Sequence, residues 1–224
     1  MSIRIDKLGY SPKFKYSFLL LIIVVYFDVC KLKRKYKMKF FQQLQIKRRS
    51  VRKYTQELLS SDETKLILEA ALLSPTSKNK HSWSFIAVED KDTLKALSVC
   101  KPHSAAFVAD AAMAEVFAGN PLISNACVED ASIAAINMQM QAEELGIGSC
   151  WVQVRSRNYS ETITSGEYIN DLLNIPMPLE VVCVISFGKK EKERTPADIQ
   201  NLRWEKVHID KYEFEPENGD NTEL

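Results

Sequence analysis

The chain of 224 residues has little of what marks disordered, secreted or metal-binding proteins. With 7 glycines and 8 prolines, it is too poor in loop-forming residues to be a linker-rich or low-complexity chain. Its 5 cysteines include no C-x-x-C pair, and no two of its 3 histidines lie three or four residues apart. We therefore expect no disulfide framework, no metal site and a cytoplasmic protein with reduced thiols.

Charge and hydropathy argue against two kinds of partner, nucleic acids and membranes. The formal net charge of +1 favours no polyanion, so we expect no nucleic-acid partner. The continuous apolar run at residues 18–27 is about half as long as a bilayer-spanning helix, and no signal-peptide cleavage site follows it. We interpret residues 1–37 as a mis-called or dispensable extension outside the fold, without membrane contact. The alternative is a hydrophobic hook that tethers the protein to a membrane.

Hydrophobic periodicity predicts helices and strands in mixed order after residue 38. Ser60 and Glu63 have the spacing of a capping box, and Leu66, Ala70 and Leu73 share one face of the helix that follows. A short helix is predicted at the beginning of residues 42–54, further helices over residues 93–99, 125–145 and 168–173, and strands over residues 83–88, 112–118, 148–154 and 181–187.

Because these elements do not alternate strictly, they favour an α+β fold over a doubly wound one. Residues 38–209 form one domain in this interpretation. The acidic residues 210–224 form a tail that is either disordered or laid over a partner subunit. The long helix over residues 125–145 is apolar on more than one side and rich in small residues, which predicts burial on more than one side and a homodimer.

Two guanidinium groups and a hydroxyl are predicted to converge near the start of the domain. In an extended backbone, the side chains of Arg48, Ser50 and Arg52 point the same way. That set would hold one dianionic phosphate, and the alternative is a solvated basic turn. The chain has no Walker loop, no G-x-G-x-x-G and no Ser-His-Asp order, so a bound cofactor is expected to do the chemistry.

Three segments in register resemble the FMN-dependent nitroreductase family. They are RRSVR at residues 48–52, SPTSKNKHSWSF at residues 74–85 and AAINMQMQAEELGIGSCW at residues 134–151. The resemblance extends over residues 40–209 and implies the family's mixed, mainly antiparallel sheet flanked by helices in an intertwined homodimer. It also implies FMN as cofactor, NAD(P)H as electron donor and an FMN site built between two chains.

The resemblance assigns the cofactor contacts residue by residue. The implied ligands are Arg48, Arg49, Ser50, Arg52, Ser77, Asn79, Trp151, Val152, Gln153 and Arg203. Residues 48–52 would hold the phosphate and ribityl chain, and the late basic residue Arg203 would close on the phosphate. Asn79 would face the flavin ring, and residues 151–153 would run along its edge, where backbone amides and a side chain can donate hydrogen bonds. No side chain is expected to be catalytic, because the flavin carries the electrons.

Departures from the family pattern affect the substrate pocket. His81 and Ser82 stand where the family commonly has Gln-Pro, and Gly188, Lys189 and Lys190 replace a G-Y-P-like turn. The leading hypothesis is an oxidoreductase that passes two electrons from NAD(P)H to a nitroaromatic or quinone-like acceptor by a ping-pong mechanism. The alternatives are a same-fold flavoenzyme for reductive substituent removal or flavin breakdown, and a non-enzymatic basic binding module.

Overall fold

The structure is a computed structural model and describes residues 39–212. The extension at residues 1–37 and nearly all of the acidic tail lie outside the described residues. The helices are α1 (Lys39–Lys47), α2 (Ser61–Leu72), α3 (Lys91–Leu97), α4 (Cys127–Glu144) and α5 (Ser165–Leu173). The strands are β1 (Trp83–Val88), β2 (Met113–Gly119), β3 (Ile147–Gln153) and β4 (Glu180–Lys189).

The four strands form one sheet in the order β1-β2-β4-β3, and every neighbouring pair is antiparallel. A single parallel bridge between Ser50 and Ser149 adds the chain's N-terminal side to the β3 edge. The expected α+β fold with a mixed, mainly antiparallel sheet is therefore confirmed. Because β1 and β3 are the two outer strands, they lie on opposite edges of the sheet.

Helices cover both faces of the sheet and create two hydrophobic cores. On one face, α2 and α4 contribute Ile67, Ala71 and a row of alanines that pack against Phe117 and Phe187 of the sheet. On the other face, α3 and α5 pack Leu94 and Ile169 against valines of β2, β3 and β4. The small residues of α4 let that helix lie close to the sheet.

Several local predictions are confirmed. Ser60 accepts a hydrogen bond from the Glu63 amide and Glu63 returns one to the Ser60 amide, which is the predicted capping box. Strand β1 has the predicted bounds. Helix α4 ends where Gly146 takes a φ of 75°, as its glycine predicts. A second capping box, between Thr164 and Glu167, begins α5 three residues before the predicted start.

Two details of the predicted pattern are wrong. The buried side chains of α2 are Ile67 and Ala71, whereas Leu66 is 41% and Leu73 84% exposed, because the helix turns its other stripe toward α4. Strand β4 does not stop at Gly188 but continues to Lys189, since Gly188 pairs with Gly148 inside the ladder. No helix among residues 39–212 is long and apolar enough to cross a membrane.

Candidate functional site

The arginine segment, residues 48–52, lies on the β3 edge of the sheet. The Val51 amide donates a 2.9 Å hydrogen bond to the carbonyl of Ser149, and farther on Thr55 donates another to the carbonyl of Lys189. These backbone bonds fix the segment as an extended strip, as the alternation of its side chains predicts. The backbone therefore sets where its side chains point.

Two facing glycines make room for this strip. A Cβ on Gly148 would lie 2.8 Å from the Val51 side chain, and one on Gly188 would lie 2.8 Å from the ring of Tyr54. The Tyr54 hydroxyl lies 2.7 Å from both the Val51 carbonyl and the Ser186 hydroxyl. Burial raises the pKa of Tyr54, so the hydroxyl stays protonated and donates. The clearance at Gly148 and Gly188 and the hydrogen bonds of Tyr54 together keep the arginine segment close against the sheet.

The side chains of Arg48, Ser50 and Arg52 share one neighbour, and their role as phosphate ligands stays a prediction. All three act on the thiol of Cys150: burial raises its pKa, while the charges of Arg52 and Arg48 and the hydroxyl of Ser50 oppose that rise. The charge of Lys101 also opposes the rise in the pKa of this thiol. No sequence signal links Lys101 to residues 48–52, because 49 residues separate it from Arg52.

Arg49 and Arg203 make other contacts. The guanidinium of Arg49 donates hydrogen bonds to the carbonyls of Thr195 and Arg48. The side chain of Arg203 is 85% exposed and pairs with Glu205 at 3.4 Å. Their assignment as flavin ligands stays a prediction.

Strand β3 presents an open edge beside the arginine segment. Since the Ser149 carbonyl faces outward to Val51, the backbone groups of Trp151 and Gln153 face the same way. Their side chains are engaged with each other: Trp151 Nε1 donates to Gln153 Oε1 at 3.0 Å. Val152 is 1% exposed and packs in the core, and its backbone groups alternate with those of its neighbours and face Val184 of β4. Its assignment as a flavin ligand stays a prediction.

The polar loop, residues 74–82, leads from α2 into β1 and carries Ser77 and Asn79. Its backbone has positive φ at Lys78, Asn79 and His81. The carboxylate of Asp130 in α4 accepts a 2.8 Å hydrogen bond from the Ser77 amide. The loop is thus held by a side chain of α4 at Ser77 and by a backbone bond from the Asn120 amide to the Ser82 carbonyl where β1 begins.

The polar loop and the arginine segment lie at opposite edges of the sheet. Three strand spacings separate β1 from β3, which is about 14 Å. Along α4 the separation is similar, because Asp130 contacts the loop whereas Gln139 contacts Ser149, nine residues or about 14 Å farther along the helix. One chain therefore does not bring Asn79 beside the β3 edge where residues 151–153 lie.

The residues of the arginine segment fit a phosphate. Two guanidinium groups and a hydroxyl on one side of an extended strip match the charge and the acceptor geometry of a phosphate dianion. Outward amides on β3 are suited to the polar edge of a planar ring. A cavity of about 580 Å³ lies elsewhere, between α1 and the end of α4, and none of the predicted ligands lines it.

Lys189 and Lys190 form ion pairs in the protein. Lys189 binds Glu63 of α2, and Lys190 binds Glu143 of α4 at 2.9 Å. The side chains of Lys190 and Glu143 are almost fully buried. These contacts join the end of β4 to the helices on one face of the sheet. The lysines thus have a structural use in place of the family's turn.

Glu115, at the centre of β2, is a fully buried carboxyl group. Neither of its carboxyl oxygens has a hydrogen-bond partner among the described residues. Burial raises its pKa from 4.5 to about 8, so the group is neutral at neutral pH. The sequence shows only a glutamate in an apolar strand and does not indicate this environment.

Comparisons with known proteins show which family and which solved structures the chain is similar to. The profile of the Nitroreductase family matches residues 46–125 and 104–189. A protein of Archaeoglobus fulgidus with the provisional name NADH dehydrogenase/NAD(P)H nitroreductase is 33% identical over 171 residues, which is 74% of this chain and 94% of the relative. The structure of an FMN-dependent nitroreductase from Clostridium difficile R20291 has 39% identity and a TM-score of 0.74, covering 75% of this chain and 98% of that one.

A more distant likeness concerns the fold alone. The NADPH:FMN oxidoreductase from Vibrio harveyi, solved with NAD+, has 18% identity and a TM-score of 0.65 over 79% of each chain. The names of these relatives contain FMN and NAD(P)H, the cofactors that the sequence resemblance implies.

This chain belongs to the nitroreductase family, and the predicted family is confirmed. The expected class, an NAD(P)H-dependent nitroreductase-type oxidoreductase, is confirmed with it. Membership removes the hypothesis of a non-enzymatic basic module.

Proposed function

We propose that this protein binds FMN on the arginine segment and passes two electrons from NAD(P)H to a nitroaromatic or quinone-like acceptor. The observation that carries the proposal is the extended strip beside the open β3 edge, along which Arg48, Ser50 and Arg52 alternate and all three act on the Cys150 thiol. Charge and edge together fit a molecule with a phosphate at one end and a polar ring at the other.

The protein's own part is binding and orientation. FMN supplies the redox chemistry, since its ring accepts a hydride and releases two electrons. The guanidinium groups of Arg48 and Arg52 neutralise the phosphate, and the outward amides of Trp151 and Gln153 donate to the ring edge. Because no buried acid or base is needed at the reacting atoms, no single ionisable side chain is indispensable.

We place Ser77 and Asn79 against the flavin held by the partner chain of a homodimer. The argument is the separation of the polar loop from the β3 edge within one chain, about 14 Å across three strands. Apolar side chains uncovered in the single chain support a dimer: Ile133 and Ile136 on α4, and Trp204 and Ile209 near the C-terminus. Trp204 is 68% and Ile209 80% exposed.

A single pocket serves the nicotinamide and the acceptor in turn, which makes the mechanism ping-pong. The working unit is the domain at residues 38–209. We assign it to the cytoplasm, a reducing compartment, because the described cysteines 100, 127, 150 and 183 are all free and buried.

The test is the flavin content and reduction of the purified protein. We expect a yellow dimer with about one FMN per chain that is bleached anaerobically by NADH or NADPH, and parallel lines in initial-rate plots. A colourless protein that takes up no FMN, or a bound flavin that neither nucleotide reduces, contradicts the proposal. A flavin-loaded monomer at micromolar concentration contradicts the shared site alone.

A further inference from the structure

The polar loop has a backbone that isolated residues rarely adopt. Lys78, Asn79 and His81 have φ values of 51°, 55° and 45°, in the left-handed region that costs free energy for residues with a Cβ. Such a loop keeps one conformation only if surrounding contacts fix it. Asn79, the residue expected to face the flavin ring, lies in the middle of this strained stretch.

The carboxylate of Asp130, in α4, binds the polar loop at two points. Its Oδ1 accepts a 2.8 Å hydrogen bond from the Ser77 amide, and its Oδ2 accepts one from the Ser82 hydroxyl at 3.3 Å. One carboxylate thus contacts both ends of the strained stretch. Asp130 is 3% exposed and Ser82 is 2% exposed, so water does not compete freely for these bonds.

The contact with Ser82 depends on a departure of this chain from the family pattern. Where the resemblance leads one to expect proline, the chain has a serine, and a proline has no hydroxyl to offer. A proline restrains its own φ, whereas Ser82 is held by its hydroxyl on Asp130 and by its carbonyl, which accepts a 2.7 Å hydrogen bond from the Asn120 amide.

Two other hydrogen bonds cross Asn79, and both are internal to the loop. The His81 amide donates to the Thr76 hydroxyl, and the Lys80 amide donates to the Ser77 carbonyl. The Lys80 side chain donates to the carbonyl of Ile123, and Asn137 of α4 binds Ser74, before the strained stretch. Among the described residues outside the loop, Asp130 has the side chain that binds on both sides of Asn79.

We propose that Asp130 is a positioning residue that clamps Ser77 to Ser82 and so fixes the orientation of Asn79 toward the flavin. The inference rests on the proposed function for its consequence, but the clamp itself is a property of the protein without cofactor. Asp130 is buried and fully engaged, so it acts through Asn79 and does not touch the reacting atoms.

The test compares four variants of the full chain. Asp130→Ala removes both bonds, and Ser82→Ala removes one. Asp130→Asn retains the shape, with an amide oxygen for the Ser77 amide and an amide nitrogen for the Ser82 hydroxyl. Glu129→Ala is the matched control, because it removes an exposed acid from the same first turn of α4 without touching the loop.

Hydrogen exchange of residues 76–82 in the apoprotein is the primary readout. We expect Asp130→Ala to speed exchange there about tenfold or more, Ser82→Ala to do so less, and Asp130→Asn and Glu129→Ala to stay within about threefold of wild type. In the loaded protein, FMN affinity of Asp130→Ala should stay within about threefold, while flavin reduction by NAD(P)H slows about tenfold.

Two results overturn the clamp. One is exchange in Asp130→Ala that equals Glu129→Ala. The other is equal loss of FMN affinity and reduction rate in Asp130→Ala and Asp130→Asn. If Asp130→Ala does not fold, Ser82→Ala decides, because unchanged exchange in that variant also overturns the clamp. If the wild type binds no FMN, the proposed function fails while the exchange results still decide the clamp.

Discussion

The arginine segment and the polar loop differ in how the protein holds their polar groups in place. The arginine segment is tied to β3 by backbone hydrogen bonds and lies flat because Gly148 and Gly188 have no side chains. The polar loop has a strained backbone and depends on the Asp130 side chain. In the proposed function, the arginine segment supplies affinity through charge and the polar loop orients a neutral amide.

The largest expected effect is on the arginine segment. Arg48→Ala with Arg52→Ala should weaken FMN binding by about a hundredfold to ten-thousandfold, since each guanidinium makes charge-assisted bonds worth about 1.5 to 3 kcal/mol. Titration of apoprotein with FMN, followed by fluorescence, measures the loss. Lys53→Ala is the matched control, because it removes an exposed cation next to the segment. Full flavin occupancy in the double variant would exclude the phosphate assignment.

Glu115 lies in the sheet between the two regions and should affect both alike. Its raised pKa means that the folded state holds the proton more tightly than the unfolded chain. The stability from that proton is complete below about pH 4.5 and is lost as pH rises through about 8. By pH 9 the loss is on the order of 4 kcal/mol.

Glu115→Gln should remove most of this pH dependence, because the amide stays neutral. Urea unfolding at pH 5 and pH 9 measures it: the variant and wild type should be similar at pH 5, and the variant more stable at pH 9. Glu129→Gln, at an exposed position, should leave the wild-type dependence intact. Equal pH dependence in Glu115→Gln and wild type would show that Glu115 is ionised in the folded protein.

Gly148→Ala should displace the arginine segment and leave the polar loop unchanged. The new Cβ would lie 2.8 Å from buried Val51, so the strip must move, at a cost of about 1 to 3 kcal/mol in stability. FMN affinity should fall with it, whereas hydrogen exchange of the polar loop should not change. Gly166→Ala in α5 is the control, since its nearest atom is 3.9 Å away. Unchanged stability and affinity in Gly148→Ala would mean that the strip does not need this clearance.

The sequence predicts the arginine segment better than the polar loop, for a physical reason. Alternation along an extended strip is a local property, so the spacing of Arg48, Ser50 and Arg52 is enough to predict that their side chains share one side of it. The capping box at Ser60 and strand β1 are local in the same sense. The family motifs add the fold and the cofactor class.

What the sequence does not reveal depends on contacts between distant residues. Nothing local shows that Gly148 lies under Val51, that the charge of Lys101 acts on the Cys150 thiol, or that Asp130 binds Ser77, 53 residues away. The burial of Glu115 likewise depends on the helices packed over β2. The spacing of Leu66 and Leu73 puts them on one face of the helix, but packing against α4 decides which face turns inward.

The most direct test of the account measures affinity and reduction rate in the same two variants. FMN dissociation constants and anaerobic stopped-flow bleaching by NADH and NADPH are determined for Arg48→Ala with Arg52→Ala and for Asn79→Ala. The account predicts opposite losses: the arginine variant loses affinity but reduces its remaining bound flavin at nearly the wild-type rate, whereas Asn79→Ala binds FMN almost normally and is reduced about tenfold more slowly. Parallel losses of affinity and rate in both variants would contradict the division of roles between the two regions.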